Sequence, residues 1–122
     1  MNILIIDDIQ ETREILHKLL SSHGHTADIA TNGKEGIIRI KLKKYDIVFV
    51  DMILPDTDGI DLMKKINKLS HSTFLILTYD KLDYNLKTKL GEFMKAGEHF
   101  HFLEKPLSEN EIIRAIESRK TY

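Results

Sequence analysis

Apolar residues occur along the chain in short continuous runs, and these alternate with stretches of helical periodicity. Five runs predict strands: residues 3–6, 26–30, 46–50, 74–77 and 99–103. Continuous apolar runs bounded by polar residues are typical of strands buried on both faces of a sheet. The second run is the weakest of these signals and the third is the clearest.

Helices are predicted between and after these runs, because apolar residues recur there at helical spacing. Three pairs of residues have the spacing of a helix-capping box: Asp8 with Glu11, Asn32 with Glu35, and Ser108 with Glu111. The predicted helices cover, in order, residues up to Gly24, residues 32–44, 59–69 and 82–96 (closed by Gly97), and the chain after Ser108.

This alternation predicts an α/β fold, a doubly wound five-stranded parallel sheet with helices on both faces. The length of 122 residues fits a single domain spanning residues 1–122, and no linker or repeat divides it. Ligands of such sheets bind beyond the carboxyl ends of the strands. The functional chemistry is therefore expected just after the strands.

Polar residues with a common chemistry occupy those positions: Asp7, Asp8, Asp51, Thr78 and Lys105. Each alone has an ordinary interpretation as a helix cap, a turn residue or a solvated side chain. Together they would place three carboxylates, a hydroxyl and an ammonium at one edge. Clustered carboxylates repel one another, and an all-oxygen cluster suits Mg²⁺. A carboxylate there can also attack phosphorus, with Lys and Thr donating to phosphoryl oxygens.

The composition excludes several classes of function. Lys and Arg number 18 against 19 Asp and Glu, a net charge of −1, which predicts no direct binding of nucleic acid or of a membrane. The absence of Cys excludes disulfides and Cys-ligated zinc and fits a cytoplasmic protein. No apolar run is long enough to cross a bilayer, and the first residues lack the features of a signal peptide.

The chain resembles response-regulator receiver domains, the CheY-like phosphoacceptors of two-component signalling. The resemblance spans about residues 2–119, and five segments carry it: residues 5–8, 45–51, 54–59, 77–78 and 105–106. It implies the flavodoxin-like (βα)5 fold with strand order 2-1-3-4-5. It also implies that the chain receives a phosphoryl group in a phosphorelay.

The resemblance implies a role for each polar residue at this edge. Asp51 would be the phosphoacceptor. The Mg²⁺ ligands would be Asp7, Asp8, Asp51 and the backbone carbonyl of Ile53. Thr78 would hydrogen-bond the phosphoryl group, and Lys105 would pair with it. The peptide between Lys105 and Pro106 is often cis in this family.

Two aromatic positions depart from the usual pattern of the family. Phe102, three residues before Lys105, is expected to be the switch aromatic whose rotamer follows Thr78. The stretch from residue 97 to 105 is about one residue longer than usual, so Phe100 is the other candidate. Tyr79 stands where the family usually has a small residue, and its ring is expected to narrow access to Asp51.

The partners implied are a histidine kinase or histidine phosphotransfer protein as phosphodonor, and a downstream protein that binds the face of helix 4, strand 5 and helix 5. The domain would catalyse only its own phosphorylation and dephosphorylation. No DNA-binding effector is expected after Tyr122, so the output would be a protein contact.

Three other interpretations are weighed against this one. A pseudo-receiver would share the fold without being phosphorylated. Tyr79 favours it, as does the segment from Thr78 to residue 97, which is about four residues longer than is usual in the family. The presence of Asp8, Asp51, Thr78 and Lys105 together argues against it.

An aspartyl phosphatase of the haloacid-dehalogenase type needs an Asp where Ile9 stands. A flavodoxin needs a hydroxyl-rich phosphate loop where Asp7 and Asp8 would repel phosphate. Ile9 itself is either a docking residue or a core contact.

Overall fold

Strands and helices alternate along the chain, as predicted. The structure, a computed structural model, describes residues 1–81, 84–96 and 100–119. Its strands are β1 (Asn2–Ile6), β2 (Thr26–Ala30), β3 (Ile47–Asp51), β4 (Phe74–Tyr79) and β5 (Phe100–Glu104). Its helices are α1 (Gln10–Ser22), α2 (Gly33–Leu42), α3 (Gly59–Leu69), α4 (Tyr84–Lys95) and α5 (Glu109–Ser118).

All five strands pair in parallel, in the order β2-β1-β3-β4-β5. Both the fold class and the strand order are therefore confirmed. The order reverses between β1 and β3, where Ile5 lies opposite both Ile29 and Phe49. In sheets of this kind, the crevice beyond the carboxyl ends of the strands at such a reversal is where ligands bind.

The central strands are buried on both faces, which explains their continuous apolar sequences. Leu4 and Ile6 of β1 belong to a core cluster with residues of α2, α3 and α4. Ile3 and Ile5, on the opposite face, belong to a second cluster with residues of α1 and α5. Each fully buried side chain of this size contributes roughly 1.5–3 kcal/mol. The two layers hold the strand ends in fixed register.

Two of the three predicted helix starts are correct. Asn32 accepts a hydrogen bond from the Glu35 N–H at 2.8 Å, and Ser108 accepts one from the Glu111 N–H at 3.2 Å. The prediction for α1 is wrong: its N-cap is Ile9, with no side-chain cap. The Asp8 carboxylate instead lies among other acids, described below.

Several element boundaries differ from prediction. β4 runs two residues further than predicted, because Thr78 and Tyr79 pair with Leu103 and Glu104 of β5. Thr78 therefore lies within its strand, and Asp51 is the last residue of β3. The second helix ends at residue 42. The fourth helix ends at Lys95, one residue before its predicted end at residue 96. Its predicted start at residue 82 and the predicted start of the fifth strand at residue 99 lie outside the described residues. In the described ranges, no helix has the length and apolarity needed to cross a membrane.

Candidate active site at the carboxyl edge of the sheet

Four adjacent strands carry the predicted site residues to one edge of the sheet. Asp7 follows β1, Asp51 ends β3, Thr78 is the penultimate residue of β4, and Lys105 follows β5. Parallel pairing aligns these ends, and Asp51 lies opposite Thr78 in the register of β3 and β4. The remaining strand, β2, is followed by Asn32, which is the N-cap of α2 and not one of the predicted site residues.

Three carboxylates meet at this edge. Asp7, Asp8 and Asp51 each offer an oxygen atom, and these atoms lie within 4.8 Å of one another. Asp7 and Asp51 are buried, whereas Asp8 is exposed. The Lys105 ammonium lies 3.1 Å from Asp7 Oδ2 and 3.4 Å from Asp51 Oδ1. A single lysine leaves this group of four side chains with an excess of negative charge.

Asp7 is held by its own local contacts. Its Oδ1 accepts a hydrogen bond from the Ile9 N–H at 2.9 Å. Its N–H donates to the Ala30 carbonyl at 3.1 Å, and its carbonyl accepts from the Arg13 guanidinium at 2.9 Å. These bonds fix the chain at the turn from β1 into α1, so the two aspartates there have defined positions.

The electrostatic cost of the cluster is evident at Asp51. Burial, followed by the neighbouring charge of Asp7, raises the pKa of Asp51 to about 6, although Lys105 acts in the opposite direction. Burial disfavours the charge on Lys105, but Asp51 and Asp7 outweigh it, and the pKa of that lysine is raised. Asp51 is thus ionised at neutral pH, at a cost that a cation would relieve.

A glycine lets the loop after β3 approach Asp51 closely. A Cβ on Gly59 would lie 2.5 Å from the Asp51 carbonyl oxygen and 2.9 Å from Met52 Cα. The Gly59 N–H donates to the Met52 carbonyl at 2.6 Å, and the Met52 N–H donates to the Thr78 carbonyl at 2.8 Å. Any side chain at Gly59 would push the start of α3 away from the site.

Lys105 is fixed by its backbone as well as by its charge. The peptide between Lys105 and Pro106 is cis, as the family resemblance implies. The Lys105 N–H donates to the Tyr79 carbonyl at 2.7 Å. This bond continues the pairing of β4 and β5 to the residue whose ammonium reaches the acids.

The aromatic residues form a row on one face of β4 and β5. Phe102 is 43% exposed, and its ring centroid lies 6.3 Å from that of Tyr79 and 6.2 Å from that of Phe100. Phe100 packs edge-on against Phe93 of α4, with centroids 5.1 Å apart. Tyr79 is partly buried against the core cluster that includes Leu77. Its ring packs against that cluster and lies beside Phe102; its expected role in access to Asp51 stays a prediction.

The predicted metal ligand at Ile53 is a backbone atom in the loop from β3 to α3. The Ile53 side chain is 67% exposed, and the residue forms an isolated antiparallel bridge with Asp58. The sequence analysis missed two residues that shape this region, Arg13 and Gly33. Gly33 follows the predicted helix cap Asn32, which was the available signal, whereas no local pattern marks Arg13.

The sequence from residue 3 to residue 117 matches the family model described as the response regulator receiver domain. The chain belongs to this family. Receiver domains are parts of two-component response regulators, and the acidic cluster described above lies within the matched residues.

Curated relatives agree with this assignment. Response regulator ArlR of Staphylococcus epidermidis is 32% identical over 91 residues, covering 68% of this chain and 42% of ArlR. Two-component response regulator ARR22 of Arabidopsis thaliana is 29% identical over 118 residues, covering 95% of this chain and 81% of ARR22. The receiver domain spans only about half the length of the bacterial relatives: 42% of ArlR and 51% of the transcriptional regulatory protein DltR of Streptococcus agalactiae.

Solved structures share the fold over nearly the whole chain. A two-component response regulator from Clostridium difficile superposes with a TM-score of 0.86 at 26% identity, covering 99% of this chain and 96% of that one. Response regulator TrrA from Thermotoga maritima, in complex with Mg²⁺ and BeF, gives a TM-score of 0.81 at 23% identity, covering 97% of both chains. The second likeness concerns the fold alone.

Proposed function

We propose that residues 1–122 act as one phosphoacceptor domain, in which Asp51 receives a phosphoryl group from a phosphohistidine. The observation that carries this proposal is the placement of a buried Asp51 beside Lys105, 3.4 Å away, and within 4.8 Å of two further carboxylates. In the transfer, an Asp51 oxygen attacks phosphorus while the P–N bond to the donor imidazole breaks. Hydrolysis later breaks the P–O bond to Asp51 and releases phosphate.

The chain's own side chains position and neutralise the reacting group in this proposal. Lys105 pairs with one phosphoryl oxygen, and the Thr78 hydroxyl donates a hydrogen bond to another. Asp51 must be ionised to attack, and its pKa of about 6 allows this at neutral pH. Apart from the attack by Asp51, the protein has to supply only positioning and charge neutralisation.

The donor set fits Mg²⁺. Three carboxylates with an excess of negative charge offer only oxygen atoms, which Mg²⁺ prefers, and the exposed Asp8 leaves an opening for water ligands. Asp7, Asp8, Asp51 and the Ile53 carbonyl would hold the ion, which would offset the negative charge of the phosphoryl oxygens. The complex of TrrA with Mg²⁺ and BeF supports this proposal by analogy.

A groove beside the site suits a phosphodonor, either a histidine kinase or a phosphotransfer protein. It has a volume of about 390 Å³ and lies between α1 and the segment after β5, with Lys105 and Pro106 in its wall. Ile9 and Ile15 in this wall are 44% and 51% exposed. Of the two interpretations of Ile9, its exposure favours docking over a core contact.

The face formed by α4, β5 and α5 is proposed as the output surface. β5 is an edge strand, and Phe102 on it is exposed. Tyr84 and Met94 of α4 are exposed at 84% and 54%. Phe102 links this face to the site through Tyr79, so it is favoured over Phe100 as the switch aromatic.

Phosphorylation by a small donor tests the proposal. The protein is incubated with Mg²⁺ and an acyl phosphate, and separately with beryllofluoride, while the amide resonances of Thr78 and Lys105 are followed by NMR. We expect both reagents to shift these resonances in a Mg²⁺-dependent way. If neither reagent produces a shift, the pseudo-receiver interpretation is correct instead.

A further inference from the structure

The loop between β3 and α3, residues 52–58, contains the peptide unit on which the proposed metal site depends. This unit joins the Ile53 carbonyl to the Leu54 N–H, which donates to the Thr57 carbonyl at 3.1 Å. Because a trans peptide is planar, its C=O points opposite to its N–H. The position of Thr57 therefore sets the direction of the Ile53 carbonyl.

Asp56 ties this loop to a different part of the chain, the N-terminus of α2. Its Oδ1 accepts from the Gly33 N–H at 2.8 Å, and its Oδ2 accepts from the Lys34 N–H at 2.9 Å. The first N–H groups of a helix have no partner within it, and a carboxylate is favoured there. These two bonds hold the pKa of Asp56 below its usual value, so the carboxylate is ionised at neutral pH.

A close packing contact independently holds the loop in the same place. A Cβ on Gly33 would lie 2.6 Å from Thr57 Cγ2 and 3.2 Å from Asp56 Oδ1. The Thr57 side chain thus packs directly on the backbone of α2, and a Cβ at residue 33 would displace it. The hydrogen bonds hold Asp56, and the packing contact holds the next residue, Thr57, whose carbonyl accepts from the Leu54 N–H.

From these contacts we infer that Asp56 is a positioning residue for the metal site: it ties the β3–α3 loop to α2 and thereby holds Thr57 and the Ile53 carbonyl. The inference rests on the proposed function, since it concerns the affinity of the acidic cluster for Mg²⁺. Asp56 itself is not a ligand in this scheme.

Calorimetric titration of Mg²⁺ into matched variants tests the inference. Asp56→Ala is expected to weaken Mg²⁺ binding by about tenfold, the size typical of residues that orient metal ligands. Gly33→Ala should act in the same direction, because its Cβ displaces Thr57. Asn32→Ala is the matched control: it removes the other cap of α2, the bond to Glu35, but not the loop contact. Its Mg²⁺ affinity should stay within about twofold of wild type.

A measurement without metal tests whether Asp56 holds the β3–α3 loop in place, independently of Mg²⁺ binding. Hydrogen exchange at the Leu54 amide should be at least about tenfold faster in Asp56→Ala, but not in Asn32→Ala. Asp56→Asn, which keeps one carbonyl acceptor, serves if the alanine variant does not fold, and should show smaller changes in the same direction. Unchanged Leu54 exchange, or equal losses of affinity in Asp56→Ala and Asn32→Ala, would overturn the inference. A wild-type protein that binds no Mg²⁺ overturns the proposed function and the inference with it.

Discussion

Two polar clusters in this domain have opposite effects on a carboxylate. On β2, Asp28 accepts hydrogen bonds from the Tyr45 hydroxyl at 2.6 Å and from Lys43 at 3.1 Å. The bond from Tyr45, more than any other contact, lowers the pKa of Asp28. At the carboxyl end of β3, burial and Asp7 instead raise the pKa of Asp51 to about 6.

The difference distinguishes a structural cluster from a functional one. The Asp28 carboxylate has a hydroxyl and an ammonium as partners, so that cluster stabilises the native state without a ligand. The cluster around Asp51 holds three carboxylates against the single ammonium of Lys105. A divalent cation would balance its negative charge, and this imbalance is the basis of the proposed Mg²⁺ site.

The largest expected effect that separates the two clusters is the response to Mg²⁺. Mg²⁺ at 100 times its Kd should raise the free energy of unfolding by about 2.7 kcal/mol. Asp8→Ala should abolish this gain because it deletes a ligand, whereas Asp28→Ala, a carboxylate from the other cluster, should keep it. Thermal unfolding with and without Mg²⁺ measures the gain. A wild-type melting temperature that does not respond to Mg²⁺ would contradict the account.

Replacing Asp51 should stabilise the metal-free protein. In chelator at pH 7, Asp51→Asn is expected to raise the free energy of unfolding by roughly 2–3 kcal/mol, because it removes an ionised group whose pKa is raised from 3.8 to about 6. The native state binds the extra proton between about pH 4 and 6, so wild-type stability should fall as pH rises through that range. Urea unfolding at several pH values measures this slope. Equal slopes in wild type and Asp51→Asn would count against the unbalanced cluster.

Removing one hydroxyl should weaken the structural cluster. Tyr45→Phe leaves the Asp28 carboxylate without its shortest hydrogen bond, so we expect a loss of about 1–2 kcal/mol in the free energy of unfolding. Phosphoryl labelling of Asp51 should not change. Chemical unfolding and a labelling assay on the same variant check both statements, and a stability equal to wild type would show that the hydrogen bond from Tyr45 to Asp28 does not stabilise the fold.

The smallest predicted effect concerns Tyr79. If its ring restricts access to Asp51, Tyr79→Ala should speed both phosphorylation by a small donor and dephosphorylation, with Mg²⁺ affinity nearly unchanged. Both rates are measured at saturating Mg²⁺. If the ring is instead held away from Asp51 by its packing against Phe102, both rates should stay unchanged. Changes below about twofold, a difference of roughly 0.4 kcal/mol, would end the access hypothesis.

The strands and the residues at the site edge were predictable from the sequence because their signals are local. Continuous apolar runs mark strands buried on both faces, and the polar residues that follow them mark the carboxyl edge. Asp7, Asp8, Asp51 and Lys105 could be grouped on that basis alone. The strand order was implied by the family resemblance, since periodicity does not order strands within a sheet.

The parts that escaped prediction depend on contacts between distant residues. Nothing near Asp56 indicates that it binds N–H groups 22 and 23 residues earlier. The direction of the Tyr79 ring depends on β4 running two residues further than its apolar core, which only pairing with β5 reveals. Asp8 has the spacing of a helix cap, but its carboxylate joins the acidic cluster instead.

Phosphoryl labelling of wild type and Asp51→Asn tests the central claim most directly. Both proteins are incubated with Mg²⁺ and an acyl phosphate, and the phosphoryl group bound per chain is measured by intact mass spectrometry. The account predicts Mg²⁺-dependent labelling of wild type with a single phosphoryl group, and none of the nearly isosteric Asp51→Asn variant. Labelling of Asp51→Asn to the same extent as wild type, or no labelling of wild type, would contradict it.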